Sequence, residues 1–281
     1  MKIVETIKEL KEIIKSNKKV GKTIGFVPTM GYLHQGHFSL IQTAKKENDY
    51  VVVSIFVNPT QFGVGEDLEA YPRDLDRDAR LSETAGADII FHPSVGEMYP
   101  ERYLTYVEVE EITSVLCGIS RPTHFKGVTT VVNKLFNIVE PDKAYFGQKD
   151  AQQIAVIQKM VKDLNMNIEI IPCPIIREED GLAMSSRNTY LTIEQRKAAL
   201  ILSKSLFAAR EMIKSGCKDA AELKKFMIAS INNEPLAAID YVEVIDAVTL
   251  DNLTILKGSI LVALAVKFGK TRLIDNIRVE V

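Results

Sequence analysis

The chain is poor in the residues that staple or metallate a fold. Its 281 residues include three cysteines, Cys117, Cys173 and Cys217, odd in number and far apart, so no disulfide framework is expected. It has four histidines, His34, His37, His92 and His124. No C-x-x-C occurs, and the spacing of His34 and His37 lacks the intervening glutamate that acts as general base in helical zinc hydrolases, so a zinc centre is not expected. An excess of one charge sign is also missing: 35 Lys and Arg stand against 37 Asp and Glu, and the pI is near 6.2. A nucleic-acid partner would normally leave a basic stripe. The longest apolar runs, such as Ile260 to Val266, are far too short to cross a bilayer. Met1 to Leu10 alternates charged and apolar residues at helical spacing and carries no secretory apolar segment. These absences lead to the expectation of a cytoplasmic protein with no nucleic-acid or membrane partner. With 46% hydrophobic residues the chain can bury a proper core.

What is present is alternation. Lys2 to Lys15 reads as an amphipathic helix with Ile3, Ile7, Leu10 and Ile14 on one stripe. Apolar runs at Thr23 to Val27, Tyr50 to Val57, Asp88 to His92, Lys143 to Phe146 and Ile168 to Ile171 read as buried strands. Helical patterns lie between them near Phe38 to Lys46, Pro72 to Ala85, Val128 to Val139 and Ala151 to Leu164. Strand and helix in turn imply an α/β fold, a Rossmann-like parallel sheet with helices on both faces. The pattern breaks near residue 176. Thr192 and Gln195 form a capping box that starts a helix running to about Ser215, and a second helix covers Ala220 to Ile231. Strands Tyr241 to Ala247, Ile260 to Phe268 and Leu273 to Val281 follow, the last two joined by a tight turn at Gly269-Lys270. The expected organisation is a domain over residues 1–176 and a smaller α+β domain over 177–281.

Chemistry-bearing residues cluster just past the predicted strands, where a doubly wound sheet binds its ligands. Thr29 to His37 joins a strand end, a glycine-bearing turn and two histidines at a helix start. A helix N-terminus offers unpaired N–H groups and partial positive charge to an anion, and imidazoles add donors that can follow developing charge. Asn58-Pro59-Thr60-Gln61-Phe62 supplies amides that orient hydroxyls and carboxylates, although taken alone the segment is better read as ordinary turn chemistry. Arg121 to Val128 is a basic lead into a helix, suited to an anion or simply solvated. Gly147-Gln148-Lys149-Asp150 closes a strand with a point charge for phosphate, an aspartate for ribose hydroxyls or a cap, and Gln153 one turn on. Met184-Ser185-Ser186-Arg187 offers hydroxyls and a guanidinium. There is no G-x-x-x-x-G-K-S/T and no G-x-G-x-x-G, so neither a P-loop nor the dinucleotide fingerprint is supported. No nucleophile elbow is present for a hydrolase. The remaining phosphate site fits attack on the α-phosphate of ATP better than γ-phosphoryl transfer.

Taken in order, Pro28-Thr29-Met30-Gly31 with His34-Gln35-Gly36-His37, Asn58 to Phe62, Tyr71-Pro72-Arg73, Arg121 to Phe125, Gly147 to Gln153 and Met184 to Asn188 closely resemble the pantothenate synthetase family over the full length. One departure is Gln148, where the family usually has glutamate, with a side chain expected to point away from the ligand. The resemblance implies ATP-driven, Mg²⁺-assisted ligation of (R)-pantoate and β-alanine, with pantoyl adenylate as intermediate and AMP and diphosphate as products. It implies His37, His34 and Lys149 as catalytic, with His37 the family's proton donor. It implies ATP binding by Met30, Gly31, Tyr32, Leu33, His34, Gln35, Gly36, His37, Gly147, Gln148, Lys149, Asp150, Ile176, Met184, Ser185, Ser186 and Arg187. Gln61 and Gln153 would hold pantoate, Gln61 also β-alanine, and Arg121 would orient a carboxylate or a closing loop. No metal ligand can be named. A homodimer through the N-terminal domain is implied too. Another adenylyl or cytidylyl transferase would explain the histidines and the serine loop but not Asn58 to Phe62 with Gln153. An aminoacyl-tRNA synthetase would need a basic RNA-binding extension, and an inert nucleotide module would not need both histidines, Lys149 and the serine loop.

Overall fold

The computed structural model describes all 281 residues. The elements run β1 (Lys2–Val4), α1 (Ile7–Lys19), β2 (Ile24–Thr29), α2 (Gln35–Glu47), β3 (Tyr50–Ile55), α3 (Leu75–Ala85), β4 (Ile89–Phe91) and the short α4 (Val95–Met98) and α5 (Cys117–Ser120). They continue with α6 (His124–Val139), β5 (Lys143–Gly147), α7 (Ala151–Asp163) and β6 (Glu169–Cys173). The C-terminal part holds α8 (Ile193–Ala198), α9 (Ile201–Lys214), α10 (Ala220–Asn232), β7 (Ala237–Asp246), β8 (Ser259–Phe268) and β9 (Thr271–Glu280).

Strands β1 to β6 form one parallel sheet in the order β1-β4-β3-β2-β5-β6. The apolar runs of its central strands follow from burial on both faces. Phe26 and Val52 point to one side, where Leu10, Leu135, Val139 and Ile157 of α1, α6 and α7 cover them. Val27, Val51 and Val53 point to the other, against Ile41, Ala44 and Ala85 of α2 and α3. The chain steps from β2 outward to β3 and β4, then returns to the opposite side of β2 for β5 and β6. The order therefore reverses between β2 and β5, which opens a crevice at their carboxyl ends.

The second sheet is antiparallel, β7-β8-β9, with Gly269 and Lys270 turning β8 into β9. One face packs on α8 to α10 through residues such as Val262, Leu264, Leu202, Leu206 and Met227. The other face, with Leu261 and Ala263, meets Leu116 and the α7 residues Ala151 and Ala155. This second contact brings the small sheet against the open end of the large one.

Two expectations fail in detail. Lys2–Val4 is an edge strand paired with β4, not the first turn of a helix; Thr6 caps α1 by accepting from the Glu9 amide, so the helix starts after it. The helix expected from Thr192 to Ser215 is two helices, α8 and α9, broken at Ala199 and Leu200. No Gly or Pro marks that break. Ala198, Ala199 and Leu202 are all buried against the small sheet, so packing sets it. The Thr192–Gln195 capping box itself is present.

Candidate active site

The β2–α2 turn builds the first wall. Thr29 Oγ1 donates to Ser54 O at 2.7 Å and accepts from the Gly31 amide at 3.1 Å. The amides of Tyr32 and Leu33 donate to the two Asp78 carboxylate oxygens at 2.6 and 2.7 Å. Asp78, on α3, is nearly inaccessible; burial pushes its carboxyl up, against the pull of those two amides. A capping box built from imidazoles follows. His34 Nδ1 accepts from the Gly36 amide at 3.1 Å, and His37 Nδ1 accepts from the His34 amide at 3.3 Å. Gly36 makes the first of these possible, because a Cβ there would lie 2.8 Å from the His34 ring.

An Nδ1 that accepts leaves the proton on Nε2. Both imidazoles are therefore neutral Nε2–H donors, with ring centroids 4.1 Å apart. Burial first, then His37 and Lys149, drives His34 down to about 2; burial and then Lys149 drive His37 down to about 4. The sequence expectation of a helix N-terminus offering bare amides is thus modified. Two amides of that turn are already spent on imidazoles, and the imidazole edges face the crevice in their place.

The crevice is lined by Met30, Gly36, Lys149, Asp150, Met184 and Ser185 together with both histidines. Gly147, Ile176, Ser186 and Arg187 also line it, as do Gln61, Arg121 and Gln153. Most of the residues singled out in sequence therefore converge. Five do not reach it. Gly31 and Leu33 are buried, Tyr32 lies under the Arg77 guanidinium at 4.8 Å, and Gln35 is exposed. Gln148 lines a separate cavity, in keeping with a side chain turned from the crevice.

Gln61 lines the same crevice as the apolar side chains of Phe56, Val128, Val131 and Leu135. Its Oε1 accepts from Asn58 Nδ2 at 3.2 Å, and its Nε2 points at the Met30 sulfur at 3.0 Å. Its backbone carbonyl accepts from His124 Nδ1 at 2.9 Å and from Arg121 at 3.2 Å. Helix α6 presses on this turn at Gly127, where a Cβ would lie 2.4 Å from the Thr60 carbonyl. The opposite wall is held by ion pairs. Arg187 Nε and Nη2 donate to the two oxygens of Asp67, each at 2.9 Å. Arg121 donates to Glu66 at 2.8 and 2.6 Å. Both acids lie on one strap, whose Tyr71 hydroxyl is 3.3 Å from Ser186 Oγ. Burial raises both carboxyls, but the guanidinium partners win and hold each below the usual range.

No group of three or more His, Cys, Asp or Glu is placed to hold a metal. Asp150 is the one carboxylate lining the crevice. That donor set fits a hard cation carried in on phosphate oxygens, the usual way Mg²⁺ is bound.

With this geometry in place, comparison with known proteins is decisive. A family model described as pantoate-beta-alanine ligase matches residues 2–278. The chain belongs to that family. A pantothenate synthetase of Acetivibrio thermocellus is 66% identical over 281 residues, covering 100% of both chains. One of Caldicellulosiruptor bescii is 58% identical over 280 residues, covering 100% of this chain and 99% of the relative. The crystal structure of a pantothenate synthetase from Thermus thermophilus matches with TM-score 0.95 at 45% identity, covering 100% of both chains. A pantoate-β-alanine ligase from Francisella tularensis, complexed with beta-gamma ATP and β-alanine, matches with TM-score 0.79 at 39% identity, covering 99% of this chain and 97% of that one.

Within this ligase fold, several residues escaped the sequence reading. Asp78 fixes the β2–α2 turn, and its only trace in sequence is an acid in a charged helix. Asn276 Nδ2 donates to the carbonyls of Gln148 and Lys149 at 3.0 and 2.9 Å, tying β9 to the lysine-bearing turn. Its neighbour Asp275 pairs with Arg177 at 2.6 and 2.9 Å. Two buried polar residues in the middle of an apolar strand were a readable signal. Glu66 and Asp67 had none, since acids in a loop are ordinarily solvated.

Proposed function

We propose that this member of the family joins (R)-pantoate to β-alanine in two steps through pantoyl adenylate. A pantoate carboxylate oxygen attacks the α-phosphorus of ATP and diphosphate leaves. The neutral β-alanine amine then attacks the acyl carbon, the bond to AMP breaks, and the amine proton is lost. The observation that carries this reading is the pairing of two ends in one crevice. At one end the neutral Nε2–H edges of His34 and His37 stand with Lys149 and the Ser185–Ser186 loop. At the other, Gln61 stands over an apolar wall. Donors aimed where phosphate charge develops favour the first step. The apolar wall with an oriented amide suits a branched acid bearing hydroxyl and carboxylate. The relatives' names and the nucleotide complex of the Francisella enzyme support the substrates.

In this reading ATP lies along Met30, His34, Gly36, His37, Gly147, Lys149, Asp150, Ile176 and Met184 to Arg187. Pantoate meets Gln61 and Gln153, and β-alanine approaches beside Gln61. Because His37 is neutral, it acts as a hydrogen-bond donor to phosphate oxygen rather than as an imidazolium acid. Mg²⁺ would arrive on the triphosphate, with Asp150 the carboxylate nearest to share it, and would supply charge neutralisation there. Residues 1–176 form the nucleotide- and pantoate-binding unit and 177–281 a lid. A homodimer through the N-terminal unit is favoured by an extended segment without strand partner after Tyr103, where Leu104 is 84% and Tyr106 51% exposed. No helix is long and apolar enough to cross a membrane, and a cytoplasmic setting fits the free thiols.

Pantoate-dependent exchange of labelled diphosphate into ATP tests the reading. Exchange without β-alanine is expected. An enzyme that makes pantothenate but shows no such exchange would contradict a reversible adenylate step. A nucleotidyl transferase acting on another acceptor would show no dependence on pantoate at all.

A further inference from the structure

The short helix α5 is held from two directions. On the body side Gln152 of α7, itself buried, accepts from the Cys117 amide at 2.9 Å and donates to the carbonyls of Ile112 and Val115 at 3.0 and 2.7 Å. On the side of the small sheet, Asp240 accepts from Ser120 Oγ at 3.0 Å. The same carboxylate oxygen accepts from Arg272 Nε and Nη2 at 2.9 and 2.7 Å. Asp240 sits in a bulge of β7. Ile239 pairs with Val266 and Tyr241 with Ala265, which leaves Asp240 between them without a partner on β8, and a bulge of this kind re-aims a side chain. Burial raises the Asp240 carboxyl, but Arg272 and Ser120 win and hold it below the usual range.

Arg121 directly follows Ser120. Its amide donates to the Cys117 carbonyl at 2.9 Å, and its guanidinium turns to the Gln61 carbonyl and to Glu66. Arg121, Ser120, Tyr241 and Arg272 line one cavity of ≈ 670 Å³ together with Glu66. Adjacent residues of α5 and its C-terminal end thus face the small sheet and the Gln61 turn. We propose that Ser120 and Asp240 are positioning residues for pantoate, fixing Arg121 and through it the Gln61 backbone. The proposal rests on the reading that Gln61 meets pantoate. A hydroxyl bonded to a carboxylate makes a charge-assisted contact. Without it Gln152 still holds the start of α5, but the end that carries Arg121 is free to shift, and a long side chain then regains conformers that miss the Gln61 carbonyl. Small displacements of a substrate-positioning group are costly to the reaction.

The test uses the whole enzyme, with calorimetry and steady-state rates for pantoate and ATP. Ser120→Ala should raise the KM for pantoate about three- to tenfold, the scale for one hydrogen bond, with kcat falling less and ATP affinity unchanged. Ser120 is exposed, so its truncation leaves the core intact, and Ser120→Thr, which keeps the hydroxyl, should restore the KM. In an Arg121→Gln background Ser120→Ala should cost nothing more, because residues acting through one contact are not additive. A full three- to tenfold loss on top of Arg121→Gln would overturn the proposal. So would an unchanged pantoate KM in Ser120→Ala, or equal losses for ATP and pantoate, the mark of a lid that is merely loosened. If Gln61→Ala leaves pantoate use intact, the reading of Gln61 falls and takes this proposal with it. If Gln61→Ala weakens pantoate use and Ser120→Ala does not, this proposal alone falls.

Discussion

The two walls of the crevice handle electrostatics in opposite ways. The β2–α2 wall is fixed and uncharged. Asp78 pins its backbone, and the imidazoles cap the helix that carries them. The strap wall is charged and already paired, with Asp67 on Arg187 and Glu66 on Arg121. A phosphate chain meets the first wall with no reorganisation, because the Nε2–H edges are free. At Arg187 it would share a guanidinium whose Nε and Nη2 already donate to Asp67. Preorganised donors lower the barrier of the chemical step, whereas a guanidinium whose charge is already shared with a carboxylate has less to offer a phosphate. The comparison ranks the expected effects of substitution.

The largest losses belong to the fixed wall and the turn opposite it. His34→Ala, His37→Ala and Lys149→Ala should each reduce turnover by about 10²–10³, the scale for one preorganised donor, with cooperative unfolding retained. Stopped-flow adenylate formation and a thermal melt measure both. Near-normal turnover in all three would erase the contrast between the walls. Next comes the acid end. Gln61 is oriented by Asn58 and His124, and its loss leaves buried polar groups unpaired at about 1–3 kcal/mol. Gln61→Ala should therefore weaken pantoate use by roughly 5- to 150-fold while ATP titrates almost as before. Calorimetry with each substrate separates the two, and a selective loss of ATP affinity would put the acid at the wrong end.

The strap predicts a smaller effect of opposite sign. Asp67→Asn removes the competitor for Arg187, so ATP should bind about two- to fivefold tighter, in line with a partly exposed ion pair. Weaker binding would show that Asp67 positions Arg187 for phosphate instead of withholding it. The smallest effect concerns stability. Burial, and then Arg121, hold His124 down to about 4 in the fold, below its ordinary value near 6.5. As pH falls below about 6.5 the unfolded chain takes up a proton that the folded chain refuses, so this contribution to stability is present above that value and is lost towards pH 4. Between pH 7 and 5 the loss is roughly 1 kcal/mol after solvent screening. His124→Gln should lessen the fall in melting temperature over that interval, and an unchanged slope would refute the assignment.

The sheet was legible because its strands are buried on both faces and read as unbroken apolar runs; β2, β3 and β5 lie within two residues of expectation at either end. The edge strand Lys2–Val4 was not, since three residues carry no period of their own and only pairing with β4 defines them. The residues around the crevice were visible as clusters past strand ends, and their order carried the family resemblance. Their partners were hidden. Asp78, Asp67 and Asn276 act across 45, 120 and 127 positions of sequence, a separation that periodicity cannot register. The charge state of the histidines was hidden for the same reason. The spacing of His34 and His37 suggested donors, but only the Nδ1 contacts show which nitrogen carries the proton.

That proton is the most direct point of attack. Nitrogen-15 spectra of the ligand-free enzyme, with His34 and His37 assigned by substitution, should show both rings as neutral Nε2–H tautomers throughout pH 5 to 8, without a titration midpoint in that range. A midpoint near 6.5 for either ring, or an Nδ1–H tautomer, would contradict the account of a fixed, uncharged donor wall.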